Sequence, residues 1–535
     1  MPSSTRTPFV FVESSRRRRR RAAAAAILLA FIPTLPLAVA ASELNATPAS
    51  MGSTLQSYQE ARAVLARALE IAGGEANIRR LRNVSLSYTG HRNMINQSRR
   101  ALPPWDREPA SGALVVDREG ERMFADNYTS YPGIGRFGGA WALKGNQGVH
   151  WEPSRHHHGS EIMSNYSGAD ADGPWSFVPR WIPALMLLES WDSGTYVRSL
   201  GRTSRNGKPM HSLAWTQRDG AMTTLLIDAD SGAFSGYESI HDDGVYGDMT
   251  ARIEYSDWRA LGGVQFPTRR IDWSNDEIAR DLQLTYLVNT TLTDGQFELP
   301  PGYSQPQNAP AGERLQKLAA GVYLDTEMGG IMIVEFRDFL AVIECPGDYQ
   351  MSNSTIEAVR KAFPGKPVRY VVPSHTHGDH GGGARAYFDA GATLLTTPGN
   401  VEFYRQLATV RRTIAPDPYD ATKRAPSIES FRGKRVISDG SQTMVLYDIG
   451  PNMHSAELTI VHLPAQQIVW QADVYFSPST GGGVQPAMPI GIDFAKKLKA
   501  LGIKDFRMLV EAHNARVVTS EEFRRALALA DFRGY

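Results

Sequence analysis

The sequence predicts two folded parts, a β-rich antiparallel-sheet domain over residues 41–310 and an α/β domain over 311–535. Three observations carry that prediction. From 84 to 299, short alternating or apolar segments are punctuated by the turn dipeptides Asn206-Gly207, Asp219-Gly220, Asp243-Gly244 and Asp294-Gly295, the grammar of a many-stranded antiparallel sheet. Residues 304–313, with Pro306, Pro310 and Asn308, read as a linker. Beyond them strands alternate with helices, as α/β domains require. A chain of 535 residues is also too long for one core.

The first 40 residues read as a targeting segment. Six consecutive arginines at 16–21 precede an apolar stretch from 22 to 37, and Ala38-Val39-Ala40 fits the small-x-small cleavage pattern. Pro33 and Pro36 make this a poor permanent membrane helix, and no other stretch is long and apolar enough to span a bilayer. The expectation is therefore export to a bacterial periplasm or beyond, with no stable membrane span after signal cleavage. Residues 1–40 hold seven arginines and one glutamate, so their loss takes the net charge from +1 to −5. No basic patch survives, which argues against nucleic acid as a partner. Hydrophobic residues at 42% and charged residues at 21% describe an ordinary globular protein. The single cysteine, Cys345, excludes a disulfide framework or a Cys-based zinc cluster, and its apolar neighbours (339–343) suggest a buried core position.

In the N-terminal part, Tyr58, Ala61, Leu65, Ala68 and Leu69 recur on one face and predict a helix over 55–71, stopped by Gly73-Gly74. Segments 222–227 and 251–255 read as strands, and Trp181 with 185–188 as a short buried helix. Three successive side chains, His156-His157-His158, cannot all face one ion in a regular element, and they read as a solvated loop. In strand rhythm, and in its ending Asp294-Gly295-Gln296-Phe297-Glu298-Leu299-Pro300, this part resembles periplasmic lipoprotein-carrier-like domains.

The C-terminal part opens with a predicted hairpin (322–324 with 331–334), a strand at 341–343 and a helix at 355–363. The β-branched run 368–372 then predicts a buried strand ending at Pro373, directly before Ser374-His375-Thr376-His377-Gly378-Asp379-His380. Three imidazoles and a carboxylate within six positions suit a first-row metal site. A helix from 384 would place them on a strand-to-helix loop, where α/β folds carry their sites. Gly381-Gly382-Gly383 would leave room beside the ions and offer N–H groups at the helix start. A strand at 392–395 and a helix at 401–411 follow. Neighbouring side chains on one loop cannot all point at two ions, so further ligands must come from later strand ends. His454, Asp473 and His513 each follow an apolar run and are the candidates. His462 alternates within a strand and reads as structural, whereas Asp448, near a strand end, is a candidate to orient a ligand imidazole that the sequence alone does not decide.

With those residues in view, positions 315–535 resemble the metallo-β-lactamase-fold hydrolases. His375-x-His377-x-Asp379-His380 matches the superfamily motif, and His454, Asp473 and His513 match its later ligands in order, at separations of 74, 19 and 40 positions. The resemblance implies an αββα sandwich with metals at one edge. It implies that His375, His377 and His454 hold a first ion and that Asp379, His380 and His513 hold a second, with Asp473 bridging. Two divalent ions are expected, zinc first, with iron or manganese tolerated by the bridging carboxylate. Such a pair yields a bridging hydroxide near neutral pH, which Asp379 would orient as the catalytic residue. Related β-lactamases tend to carry Cys at the Asp473 position or lack a bridging carboxylate. The expected substrate is therefore a small ester, thioester or lactone. The alternatives are β-lactam hydrolysis, or a periplasmic ligand-binding or carrier protein with a secondary metal site. Segments 477–489 and 413–427 are the expected substrate-facing loops.

Overall fold

The computed structural model describes residues 52–154, 162–305, 313–422, 424–477, 483–513 and 516–534. The targeting segment, His156–His158, most of the linker and part of the 477–489 loop lie outside the described residues.

The N-terminal part is one 13-stranded antiparallel sheet. The chain meanders outward from Asn83–Asn93 to the edge strand Ile162–Ser167. It crosses through two helices, Asp172–Trp181 and Pro183–Asp192, to the opposite edge at Val197–Arg205. It then meanders back until Glu277–Val288 pairs with Asn83–Asn93, Val84 opposite Val288 and Arg92 opposite Arg280. The first and last strands thus meet in mid-sheet. Local chemistry supports these turns: Asn206 and Gly207 both take positive φ (50° and 77°), as a tight hairpin requires. Asp294-Gly295 differs from expectation. It opens a 3-10 turn, Asp294–Phe297, whose start is fixed by reciprocal Thr293 and Gln296 hydrogen bonds.

The predicted first helix is Ser53–Ile71, and its Ala61, Leu65, Ala68 and Leu69 are buried. These residues and the buried Ile182 and Leu185–Leu188 stretch share one core with inward-facing strand residues such as Leu213, Leu225 and Phe266. Tyr88 stacks on Trp181, centroids 4.7 Å apart. The helices thus pack on the inward-facing strand residues of this core.

The C-terminal part has four layers. A seven-stranded sheet runs from Leu315–Ala319 to Ser427–Ser430, and a six-stranded sheet from Lys434–Ser438 to Val517–Thr519. Strand alternation decides which layer each residue enters. Met332, Val334, Ala341 and Ile343 meet Leu446, Val461, Trp470 and Val510 between the sheets. Their neighbours Ile331, Ile333, Leu340 and Val342 face the helices Tyr349–Ala362, Ala384–Asp389 and Val401–Thr409. On the far side, Ile460, Val469 and Leu509 pack beneath Pro489–Ala500 and Ser520–Leu529. This is the αββα order expected.

The two parts touch along several segments. The buried Arg412 donates to Asp242 (3.0 Å), and Asp248 accepts from the backbone of Thr413 and Ile414 (2.7 and 2.9 Å). Gly247, at φ 70°, comes so close to the Arg411 carbonyl that a side chain there would overlap it. Thr413 and Ile414 are thus engaged at this contact, and Tyr419 is buried in the helix-side core. Most other described residues of 413–427 are exposed. Among the described residues, no helix is long and apolar enough to cross a membrane.

Candidate metal centre

The seven candidate side chains come together at one edge of the sandwich. His375, His377, Asp379 and His380 follow Val368–Val372, His454 lies between Thr443–Asp448 and Thr459–Leu463, Asp473 follows Ile468–Gln471, and His513 follows Met508–Glu511. Asp379 and His380 sit in a short helix, Gly378–Gly381, rather than in an extended loop. Asp473 holds a left-handed backbone (φ 60°) at its strand end, a conformation that Asp tolerates better than most residues and that aims its carboxylate inward. Thr459 N–H donates to the Ser374 carbonyl (2.8 Å) and ties the two sheets together beside the site.

Two groups could each hold an ion, His375-His377-His454-Asp473 and Asp379-His380-Asp473-His513, with Asp473 common to both. In the first, His454 Nε2 lies 3.1 Å from His375 Nε2 and 3.0 Å from His377 Nδ1. The opposite edge of His377 settles what these atoms are. Its Nε2 lies 2.9 Å from the Ser98 carbonyl, which only accepts, so Nε2 carries the proton and Nδ1 is a bare lone pair. Burial and the neighbouring His454 push the His377 pKa down to about 3, and burial first, then three nearby imidazoles, holds His375 well below its ordinary value. Neutral, converging nitrogens suit a cation between them, at spacings compatible with tetrahedral coordination.

The second group is charge-compensated. Asp473 Oδ2 is 3.1 Å from His380 Nε2 and 3.0 Å from His454 Nε2, and its Oδ1 is 2.7 Å from His513 Nε2. Asp379 Oδ2 faces His380 (3.3 Å) and His513 (3.7 Å). Burial alone would lower the His380 pKa, but Asp473, Asp379 and Glu344 raise it well above the ordinary imidazole value. Burial would likewise raise Asp473, yet His380, His513 and His454 hold it well below the carboxylate range. An ion entering this group must displace the His380 proton. Its apparent affinity is therefore expected to rise with pH between 6 and 8, by up to about tenfold per unit for one displaced proton, in a chelator-competition titration.

Supporting residues complete the site. Glu344, buried and at φ 88°, accepts from Ser374 N–H (3.0 Å) and lies 3.4 Å from His380 Nδ1. Strain in a non-glycine residue beside a ligand imidazole marks a positioning role. Glu344→Ala is expected to weaken binding on the His380 side by about 10–100-fold, measured by the same competition. Ser374 Oγ lies 2.9 Å from His375 Nδ1, and Tyr404 donates to the His375 carbonyl (2.9 Å). Asn452 accepts from the backbone of His454 and Ser455 (2.8 and 2.9 Å). Glu511, whose pKa burial pushes up to about 8, accepts from Ser477 Oγ (2.8 Å) and links the segments after Asp473 and before His513.

Two expectations about the site need correction. Asp448 accepts from Gly450 N–H (2.9 Å) and caps a turn instead of orienting an imidazole. Gly381–Gly383 do not leave room for ligands. Their N–H groups donate to the carbonyls of His377, Gly378 and Cys345, and a Cβ added at each would overlap Tyr404, Gly347 and Ser352 in turn. A Cβ on Gly382 would overlap two carbonyl oxygens, so Gly382→Ala is expected to cost about 1–3 kcal/mol in urea unfolding. Glu344 and residues 96–98 were not anticipated. The signal for Glu344 was available, since it follows the buried strand Leu340–Ile343 at the same sheet edge. His462, half-buried and opposite Val445 and Val469, stays within its strand as expected, and Cys345 is buried.

No family model and no curated protein matches the chain. Its solved structural neighbours are metallo-β-lactamase-fold proteins. A metallo-β-lactamase from Pontibacter korlensis is 18% identical, with 41% of this chain and 98% of that one aligned at a TM-score of 0.31. The FIM-1 metallo-β-lactamase of Pseudomonas aeruginosa, in its mono-zinc form, is 19% identical over 42% and 97%, at 0.29. The inverting sec-alkylsulfatase Pisa1 from a Pseudomonas species is 16% identical over 40% of each chain, at 0.30. With scores this low, it is the side-chain geometry that defines the site.

Proposed function

We propose that the protein is an exported, dinuclear metal-dependent hydrolase of a small ester, thioester or lactone. The single observation that carries this reading is the convergence of two His/Asp groups on one shared carboxylate, Asp473. Two divalent ions there, zinc first, supply Lewis acidity and lower the pKa of a bound water to near neutrality. The chain's own part is to hold them. His375 and His377 present neutral nitrogens beside His454 on one side, while Asp379, His380 and His513 complete the other. Asp379 and Asp473 together supply two carboxylates, which keeps the site less positive than an all-imidazole one, while its five imidazoles suit zinc. Asp379 directs Oδ2 into the site and is the residue placed to orient a reacting water. A carboxylate rather than a thiolate at 473 supports ester-type substrates over β-lactams, following the resemblance of the motif. The arginine run and the small-x-small site at 38–40 support export.

The test is a substrate panel of esters, thioesters, lactones and β-lactams, run on the full chain with defined zinc loading and again after chelation. Turnover of an ester-type substrate that chelation abolishes and zinc restores is the expected result. Turnover unaffected by chelation would exclude metal-dependent hydrolysis, and turnover confined to β-lactams would replace the substrate class.

A further inference from the structure

The metal centre borrows from the other half of the molecule. The connection between Asn83–Asn93 and Arg107–Asp117, residues 94–106 of the large sheet, lies directly on the site. Gln97 Nε2 donates to Asp379 Oδ1 at 2.9 Å, 282 positions away in sequence. The Ser98 carbonyl meets His377 Nε2 at 2.9 Å. The Arg99 carbonyl accepts from Ala456 N–H at 2.7 Å, two residues past His454. Asn96 packs so closely on Gly378 that a Cβ there would meet its side chain. One short segment therefore touches both sides of the centre.

The segment is built to hold this shape. Asp106 Oδ2 accepts from Ser98 Oγ (3.0 Å) and from the Arg99 backbone (2.8 Å), and its Oδ1 accepts from Arg99 Nη2 (3.1 Å). Ser98 Oγ in turn accepts from Asp106 N–H (2.9 Å), and Met94 N–H donates to the Asp106 carbonyl (2.8 Å). Met94 and Ile95 are buried beneath it. A loop stapled at its base presents fixed polar groups at its tip.

The consequence for Asp379 is directional. A carboxylate with one oxygen engaged by an amide N–H keeps the other free for a cation. Gln97 takes Oδ1, and Oδ2 is the oxygen that faces His380 and His513. The Ser98 carbonyl does the equivalent for His377 by fixing the tautomer that bares Nδ1. We infer that Gln97 is a positioning residue for the Asp379 side of the metal centre, so that the large N-terminal sheet is a working part of the site rather than an appended domain. This rests on the metal reading above.

The test is the pair of stepwise zinc affinities of the full chain, measured by competition with a chromophoric chelator, and the visible spectrum of the cobalt-substituted protein. Gln97→Leu keeps the side chain's bulk and removes its donor. It is expected to weaken one of the two affinities by about 10–100-fold, to leave the other within about twofold, and to alter the cobalt absorption of the weakened site. A thermal midpoint matching the parent chain shows that the fold is intact. Asp106→Asn loosens the loop without touching Gln97 and is the second variant, expected to weaken the same affinity by a smaller factor. Both affinities unchanged in both variants, with two ions still bound by the parent chain, would overturn the inference and leave the metal reading standing. Fewer than two ions in the parent chain would instead remove the metal reading and this inference with it.

Discussion

Asp473→Ala is expected to bring zinc content from two ions per chain to one or fewer and to lower turnover by at least about a thousandfold. No other side chain is common to both candidate groups. Its two oxygens lie within 2.7–3.1 Å of His380, His454 and His513, and His375 is 3.9 Å away. Removing it leaves five imidazoles at the centre with Asp379 as the remaining carboxylate of the two groups. Repulsion between an ion pair no longer bridged by an anion then opposes double occupancy. Asp473→Asn separates charge from shape. It keeps an oxygen at the position but not the negative charge, and should retain the His375-His377-His454 ion while losing the second. Metal analysis after dialysis, alongside turnover of any substrate found in the panel, checks both variants.

Arg385→Leu is expected to destabilise the C-terminal part by about 3–5 kcal/mol, the range for breaking a buried ion pair from one side. Arg385 is 1% exposed. It makes a two-pronged contact with Asp417 (2.7 and 2.9 Å), pairs with Asp420, and donates to the Ala408 carbonyl (2.9 Å). Without it, Arg412, 3.6 Å away, is the remaining cation beside the buried Asp417 among the described residues. Because Arg385 lies in Ala384–Asp389, the helix that follows the Gly381–Gly383 packing, the loss should also weaken metal binding. Urea unfolding of the metal-free chain measures the first effect, and a zinc titration the second. A change below about 1 kcal/mol would mean that the cluster contributes little net stability.

How much of this was legible in the sequence follows from how local each signal is. The motif from His375 to His380 is local, and strand ends carry ligands in α/β folds, so His454, Asp473 and His513 could be found as polar residues beyond apolar runs. Apolar runs such as 331–334 and 468–471 marked individual buried strands, while their grouping into a two-sheet sandwich came from the resemblance of the motif. Three kinds of feature stayed hidden. Gln97 and Ser98 reach the site only through tertiary contact, and nothing near them in sequence resembles a ligand. The prolines of the 413–427 segment did not disclose that its Asp417 and Tyr419 are committed to Arg385 and the helix-side core. The glycines after His380 suggested open space, whereas close backbone packing requires them. Glycine records a lack of room for a Cβ without saying what fills that room.

The most direct measurement of the central claim is the zinc content of the full-length protein after loading and exhaustive dialysis, read by elemental analysis against protein concentration. Two convergent groups sharing Asp473 predict two ions per chain. A value of one ion per chain or fewer, in protein with an intact thermal transition, would contradict the dinuclear centre.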